Sequence, residues 1–353
     1  MINTSPEKYL YTQTGFPVFQ NKTYTTRGEA TTSPTGDINL HQDPRTGIVE
    51  NASFNPDLIN YDGDYQNEQG LSLYFQRHLK DVANLIRDQI GYEALVEVGC
   101  GKGLFLEMLA DQGAQIVGFD PAYQGNNPFI RKEYFREGLF SPARGLIMRH
   151  VLEHIQNPVS FLDKIRTANG GSGLIYIEVP CFDWICERKS WVDIFYEHVN
   201  YFRVSDFKRI FSDIVCIGNI FGGQYIYVVA ELSSLKLPNT DEIPKVSMPE
   251  NFLEGIDYIP SASGNAIVWG GSSKGVIFSL LRTRAGYSVD SVIDINPVKQ
   301  GRYIPLTGLK VEAPAAALAA APKNSTIYVM NSNYLEEIKE MAGNAFNYIC
   351  VDT

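Results

Sequence analysis

Twice in this chain a short apolar run breaks at glycines and resumes as a helical pattern. The first instance is "ALVEVGCGKGLFLEMLADQ" and the second is "NAIVWGGSSKGVIFSLLRTRAG". An apolar run without alternation fits a strand buried on both faces. Glycines directly after it let the backbone turn sharply and come close to a neighbour or a ligand, because no Cβ intervenes. A chain built this way is restricted to α/β folds, in which helices cover a mostly parallel sheet.

The text around both loops keeps the alternation. After the first come the strand "QIVGFD", the strand "RGLIMRH", the helix "PVSFLDKIRTA" and the strand "GLIYIEVP". The helix "VSDFKRIFS" and the strands "DIVCIGNIF" and "YIYVVAEL" close that unit. "LSLYFQRHLKDVANLIRDQI" precedes it, with Leu73, Phe75, Leu79, Val82, Leu85 and Ile86 at near-helical spacing. A Pro-bearing stretch near 235–250 separates the second unit, which adds "VDSVIDINP", the Ala-rich "APAAALAAAP", "TIYVMNSNYLEEIKEMAG" and "NYICVD". The first sixty residues lack long apolar runs and are rich in Thr, Asn, Pro and Gly, so they read as short strands and turns. The expected organisation is a small β module over 1–60, an α/β domain over 61–235 and a second α/β domain over 236–353.

Charge and cysteine usage narrow the function classes. A net charge of −10 and a pI near 5.1 argue against gripping a nucleic-acid backbone, which needs a basic face. Five scattered cysteines, Cys100, Cys181, Cys186, Cys216 and Cys350, suggest neither a disulfide framework nor a metal cluster. No basic start with an apolar core opens the chain, and no apolar run approaches the roughly 18 residues of a membrane span. The expectation is a soluble, cytoplasmic protein with a small-molecule partner.

The two glycine loops differ in chemistry. "EVGCGKG" places Gly99, Gly101 and Gly103 after Glu97, and Asp120 ends the next strand. A dinucleotide fingerprint would need its third glycine where Leu104 stands, and a phosphate P-loop is absent. An acid about 20 residues beyond the loop suits ribose hydroxyls. The second loop, "VWGGSSKG", has Gly270, Gly271 and Gly275 with Asp294 further on, but Ser272 stands where pyrophosphate needs a glycine. It reads as a Rossmann-like scaffold that helps bind substrate.

Glu97, Gly99, Gly101, Gly103 and Asp120 resemble the S-adenosylmethionine site of class I methyltransferases, and "MRHVLEHI" supports the likeness. With "YQNEQG", "YEHVNYF", "VWGGSSKG" and "VIDINPVKQGRYIPLTG" in order, the chain resembles the three-domain sugar C-methyltransferases of deoxysugar biosynthesis. That resemblance implies a class I methyltransferase sheet, a second Rossmann-like α/β domain and a small irregular N-terminal β module. It implies S-adenosylmethionine as cofactor, with His150 and Gln69 joining the glycine loop around it. It implies His198 as the base, Glu197 orienting it, Tyr196 or Tyr201 donating to an oxyanion, and Tyr65 closing over the site. The substrate it implies is a nucleotide-linked keto-sugar, for which Lys274, Lys299 and Arg302 offer local positive charge.

The N-terminus departs from that family, whose module uses two C-P-x-C knuckles. Phe16 and Phe19 replace one cysteine pair, and Asp43 and Thr46 the other. Phenyl rings cannot bind zinc, so no metal is expected and packing of Phe16, Val18 and Phe19 is expected to hold the module. The change keeps two alternatives open: methylation of an oxygen or nitrogen on a sugar or other natural-product intermediate, and a non-catalytic relative that binds the cofactor or another ligand.

Overall fold

The computed structural model describes residues 9–60, 69–140, 142–254 and 265–353. Three sheets organise it. The first combines β1 (Tyr11–Pro17), β2 (Thr35–Gln42) and β3 (Val49–Asn51) with a strand from much later in the chain, β9 (Asn200–Tyr201). β3 and β9 run antiparallel, with Val49 opposite Tyr201 and Glu50 opposite Asn200. The short helix α1 (Arg27–Thr31) follows β1 and is closed by a capping box between Thr26 and Glu29.

The expected aromatic packing is present in this module. Phe16 and Val18 are fully buried, and Phe19 nearly so. At the other substituted position a tight turn forms without thiolates. Asp43 Oδ2 accepts from Thr46 Oγ1 at 2.8 Å, Oδ1 accepts from Arg45 N at 3.1 Å, and Gly47 N donates to the Asp43 carbonyl at 2.7 Å.

The central sheet has the order β6–β5–β4–β7–β8–β11–β10. Its strands are β4 (Leu95–Val98), β5 (Ile116–Phe119), β6 (Ile130–Arg131), β7 (Gly145–Arg149), β8 (Leu174–Pro180), β10 (Ile214–Ile220) and β11 (Tyr225–Glu231). From β6 to β8 neighbours are parallel; β11 is antiparallel to both β8 and β10. The closing hairpin follows from a short connection, which cannot carry a parallel crossover. Around this sheet lie α2 (Leu73–Gln89), α3 (Leu104–Asp111), α4 (Pro158–Ala168), α5 (Phe182–Glu187) and α6 (Val204–Ile210). Ser72 caps α2 through Phe75 N, and its buried stripe runs Phe75, His78, Leu79, Val82, Ala83, Ile86. Helix α4 starts at Pro158, whose fixed φ and missing N–H suit a first helical position.

The third sheet is wholly parallel, in the order β14–β13–β12–β15–β16. It comprises β12 (Ala266–Trp269), β13 (Ser291–Ile293), β14 (Val311–Glu312), β15 (Thr326–Val329) and β16 (Asn347–Cys350), with α7 (Lys274–Arg284), α8 (Pro314–Ala320) and α9 (Leu335–Ala342). Ligands of open α/β sheets bind beyond the carboxyl ends of strands where the order reverses. Here the reversals lie between β4 and β7 and between β12 and β15, and both open onto one cavity of about 750 Å³. Among the described residues no helix is long and apolar enough to cross a membrane.

Candidate active site

The first glycine loop is built for close approach at one position. Gly99, Gly101 and Gly103 all have left-handed φ, at 75°, 56° and 87°. A Cβ on Gly99 would lie 2.4 Å from Val151 and one on Gly103 2.3 Å from Ile130, whereas one on Gly101 would meet nothing within 4 Å. Packing therefore demands two of the glycines, and the third leaves room beside the cavity. Asp120 holds the loop: Oδ2 accepts from Gly101 N at 2.8 Å and Oδ1 from Ala122 N at 2.8 Å. Each carboxylate oxygen keeps a second acceptor site for a ligand hydroxyl.

Glu97, at the floor of the cavity, is 3 % exposed and its Oε2 has no hydrogen-bond partner. Burial pushes its carboxyl up to about 7, with Arg149 opposing. Gln69 also lines the cavity, and its Oε1 accepts from Tyr334 Oη at 2.9 Å. Tyr65 lies outside the described residues.

The sequence from Phe195 to Phe202 is threaded so that one of its polar side chains faces the cavity. Tyr201 Oη closes the loop on itself, donating to the Phe195 carbonyl at 2.9 Å and accepting from Phe195 N at 3.0 Å. Asn200 Nδ2 ties it to the turn after β7, donating to the carbonyls of Leu152 at 3.0 Å and Ile155 at 2.7 Å. His198 then lines the cavity, its ring edge-on to Phe195 and to His154, each at a centroid distance of 4.9 Å. Burial, reinforced by His154, pushes His198 down to about 3.

Three residues expected to act around His198, Glu197 to orient it and Tyr196 or Tyr201 to donate to an oxyanion, are placed elsewhere, which corrects the sequence reading. Tyr196 Oη accepts from Asn55 N at 2.8 Å, and its ring stacks on Phe54 beneath the N-terminal module. The Tyr201 hydroxyl is consumed by Phe195. Glu197 turns its carboxylate toward the N-terminal module, where Oε2 accepts from Gln20 N at 3.2 Å. Its carbonyl serves the cavity side, accepting from His154 Nδ1 at 2.8 Å. Side-chain direction in a looped segment is set by what packs against it, and no local pattern reveals that.

A second group of ionisable residues was not anticipated. Glu178, in the middle of β8, is fully buried. It meets His78 Nε2 at 2.9 Å, His150 Nε2 at 3.0 Å, Arg149 Nη2 at 3.3 Å and the Tyr176 hydroxyl at 2.7 Å. Burial alone would raise this carboxyl; Arg149 and the bonds from His150 and His78 hold it well below the usual range. His150 lines the cavity with both ring nitrogens on carboxylates, the second being Glu153 at 3.4 Å. Burial works against its protonation, but Glu153 and Glu178 outweigh that and raise it to about 9. The visible signal was a lone acid inside the apolar strand "GLIYIEVP", since a buried charge requires partners.

The C-terminal domain brings two of its three expected cations to the cavity. Lys274 Nζ pairs with Asp193 Oδ2 at 2.9 Å and lies over the Trp184 ring. Lys299 Nζ donates to Ser272 Oγ at 2.6 Å and Asp294 Oδ2 at 3.2 Å. Arg302 does not reach the cavity; its Nη2 donates to the Thr23 carbonyl at 2.8 Å and joins the C-terminal domain to the N-terminal module.

Known proteins match this central region. Residues 63–214 match the family model described as a methyltransferase domain. The C-methyltransferase NovU of Streptomyces niveus is 25% identical over 155 residues, 38% of this chain, and the match spans 36% of that relative's own length. The plantazolicin methyltransferase BpumL, solved with a triazolic desmethylPZN analogue and SAH, is 14% identical, with a TM-score of 0.36 over 48% of this chain and 87% of its own. The magnesium protoporphyrin IX methyltransferase ChlM from Synechocystis PCC 6803, solved with bound SAM, is also 14% identical, with a TM-score of 0.33 over 45% of this chain and 80% of its own. Residues 63–214 are thus similar to a methyltransferase domain, and the sheet they help build is a seven-stranded α/β sheet whose order reverses between β4 and β7.

Proposed function

We propose that the protein is an S-adenosylmethionine-dependent methyltransferase whose acceptor is a keto-sugar linked to a nucleotide, methylated at the carbon beside the ketone. One observation carries the reading: the Gly99–Gly103 loop and His198 line the same cavity. The cavity fits the cofactor in two respects. The unpartnered Oε2 of Glu97 suits an ammonium group, and the open side of Gly101 with the acceptor sites of Asp120 suits a ribose. When bound, the cofactor supplies a methyl group on a sulfonium.

The residues of the chain supply the rest. A carbon beside a ketone becomes nucleophilic only after losing a proton, which calls for a general base held close in a site that excludes water. His198 is neutral near physiological pH, because burial disfavours its charged form, so its lone pair is available to take that proton. His150 offers no lone pair, since both ring nitrogens face carboxylates; its role is a fixed positive charge. Lys274 and Lys299 face the cavity for the acceptor's anionic part, which shares them with Asp193 and Asp294.

The test is mass spectrometry of the protein incubated with labelled methyl donor and a panel of nucleoside-diphosphate keto-sugars. The expected result is an acceptor heavier by one labelled methyl on carbon. His198→Asn should lower kcat by roughly 100-fold or more, the usual weight of a general base, with donor affinity kept. Methyl transfer to a hydroxyl or amine, or normal turnover by His198→Asn, would refute carbon methylation by this base. Tight donor binding without turnover on any acceptor would refute the enzymatic reading.

A further inference from the structure

A buried carboxylate without good hydrogen bonds is costly unless a positive charge meets it. Glu153 is such a group: 1 % exposed, in the turn after β7, lining the cavity. Neither oxygen makes a hydrogen bond of ordinary geometry, and the nearest partner is His150 Nδ1 at 3.4 Å. Glu153, His154 and His198 each bring one polar atom to within 4.8 Å of the others. His154 is oriented by its Nδ1–H, which donates to the Glu197 carbonyl at 2.8 Å. His150 is held on a left-handed backbone, φ 52°, with its ring between Glu153 and Glu178.

We propose that Glu153 is the positioning residue of the reaction: steadied by His150, its carboxylate is the counter-charge for the imidazolium formed when His198 takes the acceptor's proton. This rests on the carbon-methylation reading above. In the step, the acceptor's C–H bond breaks and its electron pair would form the new bond to the methyl group, while the bond from that methyl to the donor's sulfur would break with its electron pair staying on sulfur, leaving a neutral thioether. The proton stays on the imidazole until solvent collects it, and Glu153 neither gains nor loses one.

The surroundings leave this role to Glu153. His198 is faced by His154, His150 and Glu153 from the turn after β7, and by the rings of Phe195 and Tyr201 from its own loop. Glu197, its sequence neighbour, turns to Gln20, and Asp193 is held by Lys274. Burial, His154 and His150 all weaken His198 as a base, and Glu153 opposes them. A base so placed depends on its counter-charge.

Proton exchange reads this directly. A nucleoside-diphosphate keto-sugar is incubated in D₂O with the protein and S-adenosylhomocysteine, and loss of the proton beside the ketone is followed by NMR. Wild-type protein should exchange it and His198→Asn should not. Glu153→Gln should exchange roughly 100-fold more slowly with S-adenosylhomocysteine affinity unchanged within about twofold, and Glu153→Asp should recover part of the rate. Exchange by Glu153→Gln at the wild-type rate overturns the proposal and leaves carbon methylation standing. A wild-type protein that exchanges no keto-sugar overturns both. If Glu153→Gln does not fold, ¹⁵N-imidazole NMR of the wild type decides: His198 should be neutral and His150 doubly protonated near neutral pH, and a protonated His198 overturns the proposal. A stoichiometric divalent ion in the purified protein, lost in His198→Asn, would also overturn it by making the three side chains ligands.

Discussion

Glu97 on β4 and Glu178 on β8 are both buried carboxyls beside Arg149, yet they move to opposite sides of the ordinary range. Glu178 has the Arg149 guanidinium in contact and two imidazoles bonded to it; Glu97 has an oxygen with no partner. Because the folded pKa of Glu97 is raised from 4.5 to about 7, its contribution to stability is full below 4.5 and is lost as pH rises through about 7. A cationic ligand group beside it works the other way and favours the carboxylate. Binding of the methyl donor at a pH near 6.5 should therefore release a proton, seen by calorimetry in two buffers of different ionisation enthalpy. Glu97→Gln should abolish the release and weaken donor binding roughly tenfold, the equivalent of about one pKa unit. Proton release that persists in the variant would remove Glu97 from the cofactor site. Of this, the sequence showed the acid before the glycine loop. Its missing partner became visible only once β4 and β7 lay side by side.

The two strand–glycine–helix elements look alike as text and differ as structures. In each, an acid after the following strand accepts from a loop amide: Asp120 from Gly101 N at 2.8 Å, Asp294 from Gly271 N at 2.9 Å. In the second, the Lys299 ammonium then sits on Asp294 and Ser272, so the loop is closed by its own chain. The glycines differ as well. Gly101→Ala should cost about 1–2 kcal/mol, the left-handed penalty for a side chain, and weaken donor binding more than it disturbs folding. Gly275→Ala would place a Cβ 1.8 Å from the Gly270 carbonyl oxygen and should leave little folded protein. Thermal melts and donor titrations of the two variants check this, and equal loss of fold would contradict it. The elements themselves were legible: α4 runs over 158–168, where the sequence pattern places it, because Pro158 and an apolar stripe define it locally. The antiparallel turn of β10 and β11 was not legible, since strand direction depends on how the chain returns to the sheet.

At the scale of the molecule, the N-terminal module is part of the frame around the cavity, because β9, from the loop that carries His198, completes its sheet. Phe16 is fully buried in a core that also contains Tyr196 and Tyr201. Phe16→Ala should destabilise by about 3–5 kcal/mol, as for other large-to-small aromatic changes. It should also lower activity at temperatures where the protein stays folded, by loosening the loop that holds His198. Urea titration with a turnover assay checks both, and full activity in a strongly destabilised variant would uncouple the module from the site. The C-terminal domain ties into the same frame: Ser72 Oγ donates to Glu337 Oε2 at 2.7 Å, and Asn331 Nδ2 to Gln224 Oε1 at 2.8 Å. The sequence by itself determined the α/β elements, the glycine loop and the presence of His198, because periodicity, backbone freedom and side-chain chemistry are local properties. Only the tertiary structure decided that Tyr196, Tyr201 and the Glu197 carboxylate face away while Glu153 faces in. Which way a side chain points within a loop depends on partners distant in sequence, here Asn55, Gln20 and the turn after β7.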